Sequence, residues 1–247
     1  MKKLFLSVII PAFNEENNIQ STIAKIASYT ETLPHSCEII VVDDGSKDHT
    51  GAQVKQISKT IPNLKYLKSA QNQGKGHAVR QGMLSSQGQF SLLTDADLST
   101  PIEELEKFLP GMKGPKAVLI GNRKIPGAKI TRHQSSFREN MGKAFTLAGN
   151  LVLGMKQSDF TCGFKIFGAE ARNVIFNVQK INGWAYDAEI LFLAKKFGFQ
   201  IEDVPVIWEN SEITKVKILS ASIFSFSDLL KIRWNSHSGR YNRITRH

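Results

Sequence analysis

Along the first half of the chain, short runs of uninterrupted apolar residues alternate with longer amphipathic stretches. Residues 6–10, 38–42, 64–67, 90–94 and 117–120 read as strands. Between the first two, residues 15–29 carry Ile19, Ile23 and Ile26 at helical spacing, with Asn14 as the expected N-cap and Glu15 and Glu16 in the first turn. Residues 50–58, with Val54 and Ile57 turned inward, and residues 76–85 and 101–109 also read as helices. Strands that are apolar throughout and linked by helices predict an α/β fold, a mostly parallel sheet with helices on both faces. Ligands of such sheets sit beyond the carboxyl ends of the strands. The loops after Ile10, Val42, Thr94 and Ile120 are therefore expected on one rim.

The second half is less regular. Residues 135–155 predict a helix with Phe137, Met141, Phe145, Ala148, Leu151 and Met155 on one stripe. Residues 187–196 predict another helix and residues 201–208 a strand. Residues 218–234 place Leu219, Ile223, Phe226, Leu230 and Trp234 on one face, followed by Arg240, Arg243 and Arg246. The expected organisation is one α/β domain over residues 1–217, with an amphipathic helix and basic tail over 218–247.

Composition changes this picture in three ways. A net charge of +10 over 247 residues implies anionic partners. Two cysteines, Cys37 and Cys162, follow no metal or disulfide spacing and fit a reducing, cytoplasmic setting. Met1-Lys2-Lys3 and the apolar residues after it resemble a leader, but the run meets Pro11 and Asn14 without a cleavage site, so it reads as the first strand. No apolar stretch reaches the roughly 18 residues of a membrane span.

The strand-end loops hold the candidate chemistry. Asp95 and Asp97, at i and i+2 beyond a strand, can either hold a hard divalent cation together with substrate phosphates or cap the next helix. Asp43-Asp44-Gly45-Ser46 is a turn whose acids can also accept from a base and a ribose. Pro11 to Glu15 stands where a dinucleotide site needs glycines, which disfavours NAD and FAD. Gly74-Lys75-Gly76 is not a P-loop and reads as a turn leading into a helix that approaches the ligand rim.

Val8-Ile9-Ile10-Pro11-Ala12-Phe13-Asn14-Glu15, Val41-Val42-Asp43-Asp44-Gly45-Ser46, Asn72-Gln73-Gly74-Lys75-Gly76 and Asp95-Ala96-Asp97, in this order and spacing, resemble glycosyltransferase family 2 and its GT-A fold. Asp159 to Lys165, Trp184 to Glu189 and Val204 to Asn210 are similar to its polyprenyl-phosphate glycosyltransferases, the dolichyl-phosphate β-glucosyltransferases first and the mannose synthases next. Two departures stand out. Phe160-Thr161 replaces the usual Thr-Gln, and near Lys215 the arginine of the mannose synthases is missing, which disfavours mannose.

The resemblance implies an inverting transfer of a hexose, glucose from UDP-glucose, to a polyprenyl phosphate. Mannose from GDP-mannose and a carbohydrate hydroxyl acceptor are the alternatives. It implies that Pro11, Phe13, Glu15, Asp43, Asp44, Asp95 and Lys215 hold the donor and that Asp95 and Asp97 hold Mg²⁺ or Mn²⁺. Asp159, as base or acceptor guide, and Arg123, as neutraliser of phosphate charge, are the expected catalytic residues.

Acceptor contacts are expected from Arg132, Arg138 and Lys165. The first two lie in a basic stretch, Arg123, Lys124, Lys129, Arg132, Arg138 and Lys143 against the single acid Glu139. The two amphipathic helices, 135–155 and 218–234, are expected on the cytoplasmic face of a membrane as a peripheral attachment. Nucleic acid is not an expected partner, because the aromatics lie on apolar stripes rather than among the basic residues.

Overall fold

The computed structural model describes residues 4–210 and 218–242. Lys215 and the end of the basic tail, with Arg243 and Arg246, lie outside the described residues. Strands β1 (Leu6–Ala12), β2 (Cys37–Asp43), β3 (Leu64–Lys68), β4 (Phe90–Leu93), β5 (Val118–Asn122), β7 (Lys165–Gly168) and β8 (Ile201–Pro205) form one sheet in the order β3-β2-β1-β4-β7-β5-β8. All pairs are parallel except those of β7, which runs antiparallel between β4 and β5. Strands β6 (Lys129–Arg132) and β9 (Ile207–Glu209) make a separate parallel pair.

The apolar strands are buried on both sides, as their composition requires. Every residue of β1 and β2 is buried. Leu6, Val8 and Ile10 pack with Ile19, Ile23 and Ile26 of α1 (Ile19–Thr32) and with Val54 of α2 (Thr50–Ile57). Ile9, Leu93 and Ile120 belong to a second core. It includes Val79 and Met83 of α3 (Lys75–Ser85), Ile175 and Phe176 of α5 (Ala169–Val178), and Ile190 and Leu193 of α6 (Tyr186–Lys196). Leu229 and Ile232 of α7 (Ile218–His237), and Tyr241 beyond it, join the same core. The described part of the C-terminal segment is thus packed into the domain.

The rim opens between β1 and β4. Ile9 gives its carbonyl to Thr94 on the β4 side and Ala12 gives its carbonyl to Asp44 on the β2 side. Pro11, two residues beyond Ile9, points its missing donor to the side where β4 has already ended. The chain proceeds outward in opposite directions from β1 and β4, the arrangement that leaves a ligand crevice at the strand ends.

Several elements differ from the sequence expectation. Asn14 does not cap α1: it takes a left-handed conformation, φ 56°, and α1 starts four residues later than expected, at Ile19. Residues 101–109 do not form the expected α-helix but lie in two short 3-10 turns, Ile102–Lys107 and Leu109–Gly111. The 201–208 strand divides at Val206, where Pro205 ends the pairing with β5 and the chain crosses to β6. Strand β7 and α5 were not expected.

The two amphipathic stripes are only partly buried. On α4 (Ser136–Leu153) Phe145 is buried, but Phe137 and Leu151 are exposed. On α7 the core side is Leu229 and Ile232, so Leu230 and Trp234 face out, while Leu219 and Ile223 lie among side chains outside the description. Of the expected stripe, Phe226 packs against the core with its ring centre 5.8 Å from that of Phe145, whereas Leu230 and Trp234 do not.

Candidate active site

At the tip of β2, both acids of the Asp43-Asp44 turn are buried and bonded internally. Asp43 Oδ1 accepts from the Ser46 amide at 2.7 Å, and Oδ2 accepts from the Tyr66 hydroxyl at 2.6 Å. Burial, followed by the bond to Asp43, pushes the Tyr66 phenol well above its ordinary value. Asp44 accepts from the amides of Gln73 and Gly74, at 3.0 and 2.8 Å through its nearest oxygens. It therefore latches the loop that leads into α3. The internal partners of both carboxylates are thus one Tyr66 hydroxyl and the amides of the two loops that border the rim. Glycine is required at 45 and 74, which have φ of 76° and 107°; a Cβ at Gly74 would lie 2.4 Å from the Asn182 carbonyl oxygen.

Directly beside it, the β1 tip carries Phe13, exposed at the rim, and half-buried Glu15. The Glu15 amide donates to Thr50 Oγ1 at 2.7 Å, and its carboxylate accepts from Asn18 Nδ2 at 3.0 Å. Pro11 is buried within β1.

The acids after β4 behave differently. Lys75 Nζ donates to Asp95 Oδ1 at 2.6 Å and lies 5.3 Å from the centre of the Trp184 ring. Burial pulls the Lys75 ammonium down, but the charges of Asp95 and then Asp187 more than offset this and hold it above its ordinary value. Burial pushes the Asp95 carboxyl up, and Lys75 outweighs it, so Asp95 sits below its usual range. Asp97 is exposed. Desolvation by the surrounding protein and the charge of Asp95 push its carboxyl up. A Cβ on Gly163 would fall 1.9 Å from Asp95 Oδ2, so Gly163 is what allows β7's approach strand to pass this carboxylate.

The antiparallel β7 enters the sheet from this rim, with Lys165 opposite Leu93. The residues preceding it are thereby laid beside Asp95. Lys165, expected at the acceptor, is instead fully buried: its ammonium donates to Asp187 Oδ1 and to the Cys162 carbonyl. Its charge is also one of those that hold the Asp95 carboxyl down. Cys162 is fully buried and burial raises its thiol, in keeping with a packed residue rather than a nucleophile.

At the β5 tip, Arg123 grips Asp159 in a two-pronged pair. Nε donates to Oδ2 at 2.7 Å and Nη2 to Oδ1 at 2.8 Å, with a further bond from Nη2 to Thr161 Oγ1 at 2.8 Å. The guanidinium lies 5.1 Å from the centre of the Trp208 ring. Burial opposes both charges. Even so, Arg123 holds the Asp159 carboxyl well below the usual carboxylate range, and Asp159 holds the guanidinium above its own. A carboxylate so held is a poor proton acceptor. Arg132 is exposed on β6 and Arg138 half-buried on α4, both in the basic segment that follows Arg123.

Sequence reasoning gave Lys75 little weight and did not single out Thr161, Trp184 or Trp208 for the site. The signal for Lys75 was a lone cation between two glycines, one of them at positive φ, at a helix start. Among the described residues, no group of three or more His, Cys, Asp or Glu is arranged to hold a metal ion.

Residues 7–176 match the family model described as Glycosyl transferase family 2. The dolichyl-phosphate beta-glucosyltransferase of Dictyostelium discoideum is 32% identical over 243 residues, covering 94% of this chain and 74% of the relative. That of Saccharomyces cerevisiae is 33% identical over 254 residues, covering 94% and 75%. Among solved structures, glucosyl-3-phosphoglycerate synthase from Mycobacterium tuberculosis, in complex with Mn²⁺, UDP-glucose and glycerol 3-phosphate, is similar with a TM-score of 0.70 at 18% identity. That match covers 94% of this chain and 80% of the other, and the architecture they share is the GT-A fold.

Proposed function

The chain belongs to glycosyl transferase family 2, and from that premise we propose that it moves glucose from UDP-glucose onto a polyprenyl phosphate, with inversion. The observation that carries this reading is the Arg123–Asp159 pair. An enzyme acting on a sugar hydroxyl needs a base to take its proton. Here the carboxylate in the base's place is locked in its ionised form on an arginine. An acceptor phosphate needs no such base, because its second pKa of about 6 leaves it largely ionised at neutral pH. Its oxygen attacks the anomeric carbon while the bond from that carbon to the diphosphate oxygen breaks. The electron pair leaves on the nucleotide.

The names of the curated relatives support the acceptor and the sugar. The UDP-glucose in the M. tuberculosis structure supports the donor. Arg123 and Lys75 supply fixed positive charge on either side of the crevice, where the diphosphate develops negative charge. Phe13, Glu15 and the turn at Asp43 and Asp44 frame the nucleoside end, with Pro11 shaping the gap.

Asp95 and Asp97 suit a divalent cation. They are two carboxylates in close electrostatic contact, one of them exposed and raised by the other's charge, a repulsion that a cation relieves. Two carboxylates plus donor phosphates are a common Mg²⁺ set. Mg²⁺ or Mn²⁺ bound there supplies further charge at the diphosphate.

The acceptor approaches over the basic segment with Arg132 and Arg138. Exposed Leu147 and Leu151 on α4, and exposed Leu230 and Trp234 on α7, support attachment to a membrane surface, with Lys143, Lys231 and Arg233 facing anionic headgroups. In this reading that surface is the cytoplasmic face. Among the described residues, no helix is long and apolar enough to cross a membrane.

The test is incubation with labelled UDP-glucose, Mn²⁺ or Mg²⁺ and a polyprenyl phosphate in detergent, beside a GDP-mannose arm. An organic-extractable glucosyl phosphate is expected. Label appearing only from GDP-mannose would replace glucose by mannose, and label appearing only on carbohydrate acceptors would remove the phosphate-acceptor reading.

A further inference from the structure

The start of α3, which carries Lys75, has no side-chain cap. A backbone carbonyl from a distant loop meets its first amides: Gly76 donates to the Asn182 carbonyl at 2.7 Å, and His77 shares its amide between the Gly74 carbonyl at 3.0 Å and the Asn182 carbonyl at 3.3 Å. Gln179 Nε2 donates back to the Gly76 carbonyl at 3.0 Å. The packing is tight enough that a Cβ on Gly76 would lie 2.5 Å from the Ile181 carbonyl oxygen. Thus residues 179–182 form the seat on which the Lys75 turn rests.

That seat is itself held by one buried carboxylate. Glu189 is fully buried on α6, and its oxygens accept from the amides of Lys180 at 2.9 Å and Ile181 at 2.8 Å. Its remaining bond comes from the far end of the chain: the Tyr241 hydroxyl, also fully buried, donates to Glu189 Oε1 at 2.5 Å. Asn235 of α7 donates to the same hydroxyl at 3.4 Å. A continuous set of bonds therefore runs from Tyr241 through Glu189 and the 180–182 backbone to the start of α3, and from there through Lys75 to Asp95.

We propose that Glu189 and Tyr241 are positioning residues for the donor site, a clasp by which the C-terminal segment fixes the place of Lys75 on Asp95. Neither side chain touches the crevice. Both act by fixing the seat, since a backbone loop without Glu189 would leave the buried Ile181 amide and the partly buried Lys180 amide unpaired and free the carbonyl that caps α3. The inference rests on Lys75 belonging to the donor site, so the experiment has one arm that does not depend on catalysis.

Hydrogen exchange is measured on the full chain and on Tyr241→Phe, with Glu189→Gln as the stronger variant if it folds. Faster exchange is expected over residues 74–78 and 179–183, with α1 unchanged. Unchanged exchange over 74–78 in Tyr241→Phe would overturn the clasp, whether or not the enzyme is active. In the kinetic arm, loss of a hydrogen bond to a charged group predicts that Tyr241→Phe raises KM for UDP-glucose by about 10-fold with kcat held within about twofold. The same substitution in a Lys75→Met background is expected to add nothing. If the two penalties multiply instead, Tyr241 supports the fold in general and does not act through Lys75. A wild-type chain that transfers no sugar would remove the transferase reading while leaving the exchange result to decide the clasp.

Discussion

Two acidic pairs stand on one rim of this molecule, at the ends of strands separated by β1, and they have opposite fates. Asp43 and Asp44, after β2, are buried, and their oxygens accept from backbone amides and the Tyr66 hydroxyl. Asp95 and Asp97, after β4, meet Lys75 on one side and solvent on the other. The first pair builds the loops that shape the crevice, and the second supplies charge inside it. Asp159 combines the two, being buried like a strut yet paired with Arg123, the arginine proposed to meet the diphosphate. Residue type did not separate these roles. What separated them was the set of donors the fold brought within reach.

That contrast can be broken at its strongest point first. Asp159→Asn leaves the Arg123 guanidinium without its counter-charge, and breaking a buried pair in this way costs about 3–5 kcal/mol. A fall in Tm of roughly 10 °C is expected by calorimetry. Transfer should fall at least about 100-fold, the usual scale for losing one preorganised electrostatic contact.

Asp97→Asn should give the reverse profile. Activity is expected to drop by about 100-fold or more with a weakened response to added Mn²⁺, while Tm stays level or rises slightly. If Asp97→Asn unfolds the protein instead, the division between strut and site fails.

A smaller effect is expected at Asp44. Asp44→Asn turns one acceptor oxygen into a donor facing two amides, at a cost of about 1–3 kcal/mol. It should lower Tm by a few degrees and raise KM for the donor more than it changes kcat.

The smallest effects concern pH, and their signs differ. The native Asp159 carboxyl lies below its ordinary value, so its stabilisation is present above about pH 4 and is lost as pH falls toward its native pKa. The native Asp97 carboxyl is raised, so its contribution to folding is present below the ordinary carboxylate range and is lost as pH rises through the native pKa. Thermal melts across pH 3–7 (about the carboxylate range and above) should show the Asp159→Asn deficit shrinking at the acid end. Any Asp97→Asn gain should be greatest at neutral pH.

Much of the site was legible beforehand because strand-end loops converge whenever a sheet is parallel. Pro11 to Glu15, Asp43-Asp44, Asp95-Ala96-Asp97 and Arg123 could all be placed on one rim from their positions after apolar runs. Lys165 shows where such reading stops. A lysine in the right motif was expected at the acceptor, yet its ammonium is buried on Asp187 of α6, a partner 22 positions away. Lys75 shows the converse. Its neighbours in sequence say little, and its importance comes from residues about a hundred positions away that seat its turn.

The order of apolar and polar residues was enough to determine the α/β class, the parallel core strands and the acidic rim, because burial on both faces leaves a local mark on composition. The direction of β7, the break at Val206, the side of α7 that meets the core and the partner of each charge were decided by tertiary structure alone. Those outcomes depend on which distant donors and apolar surfaces meet, and no short window of sequence contains both partners.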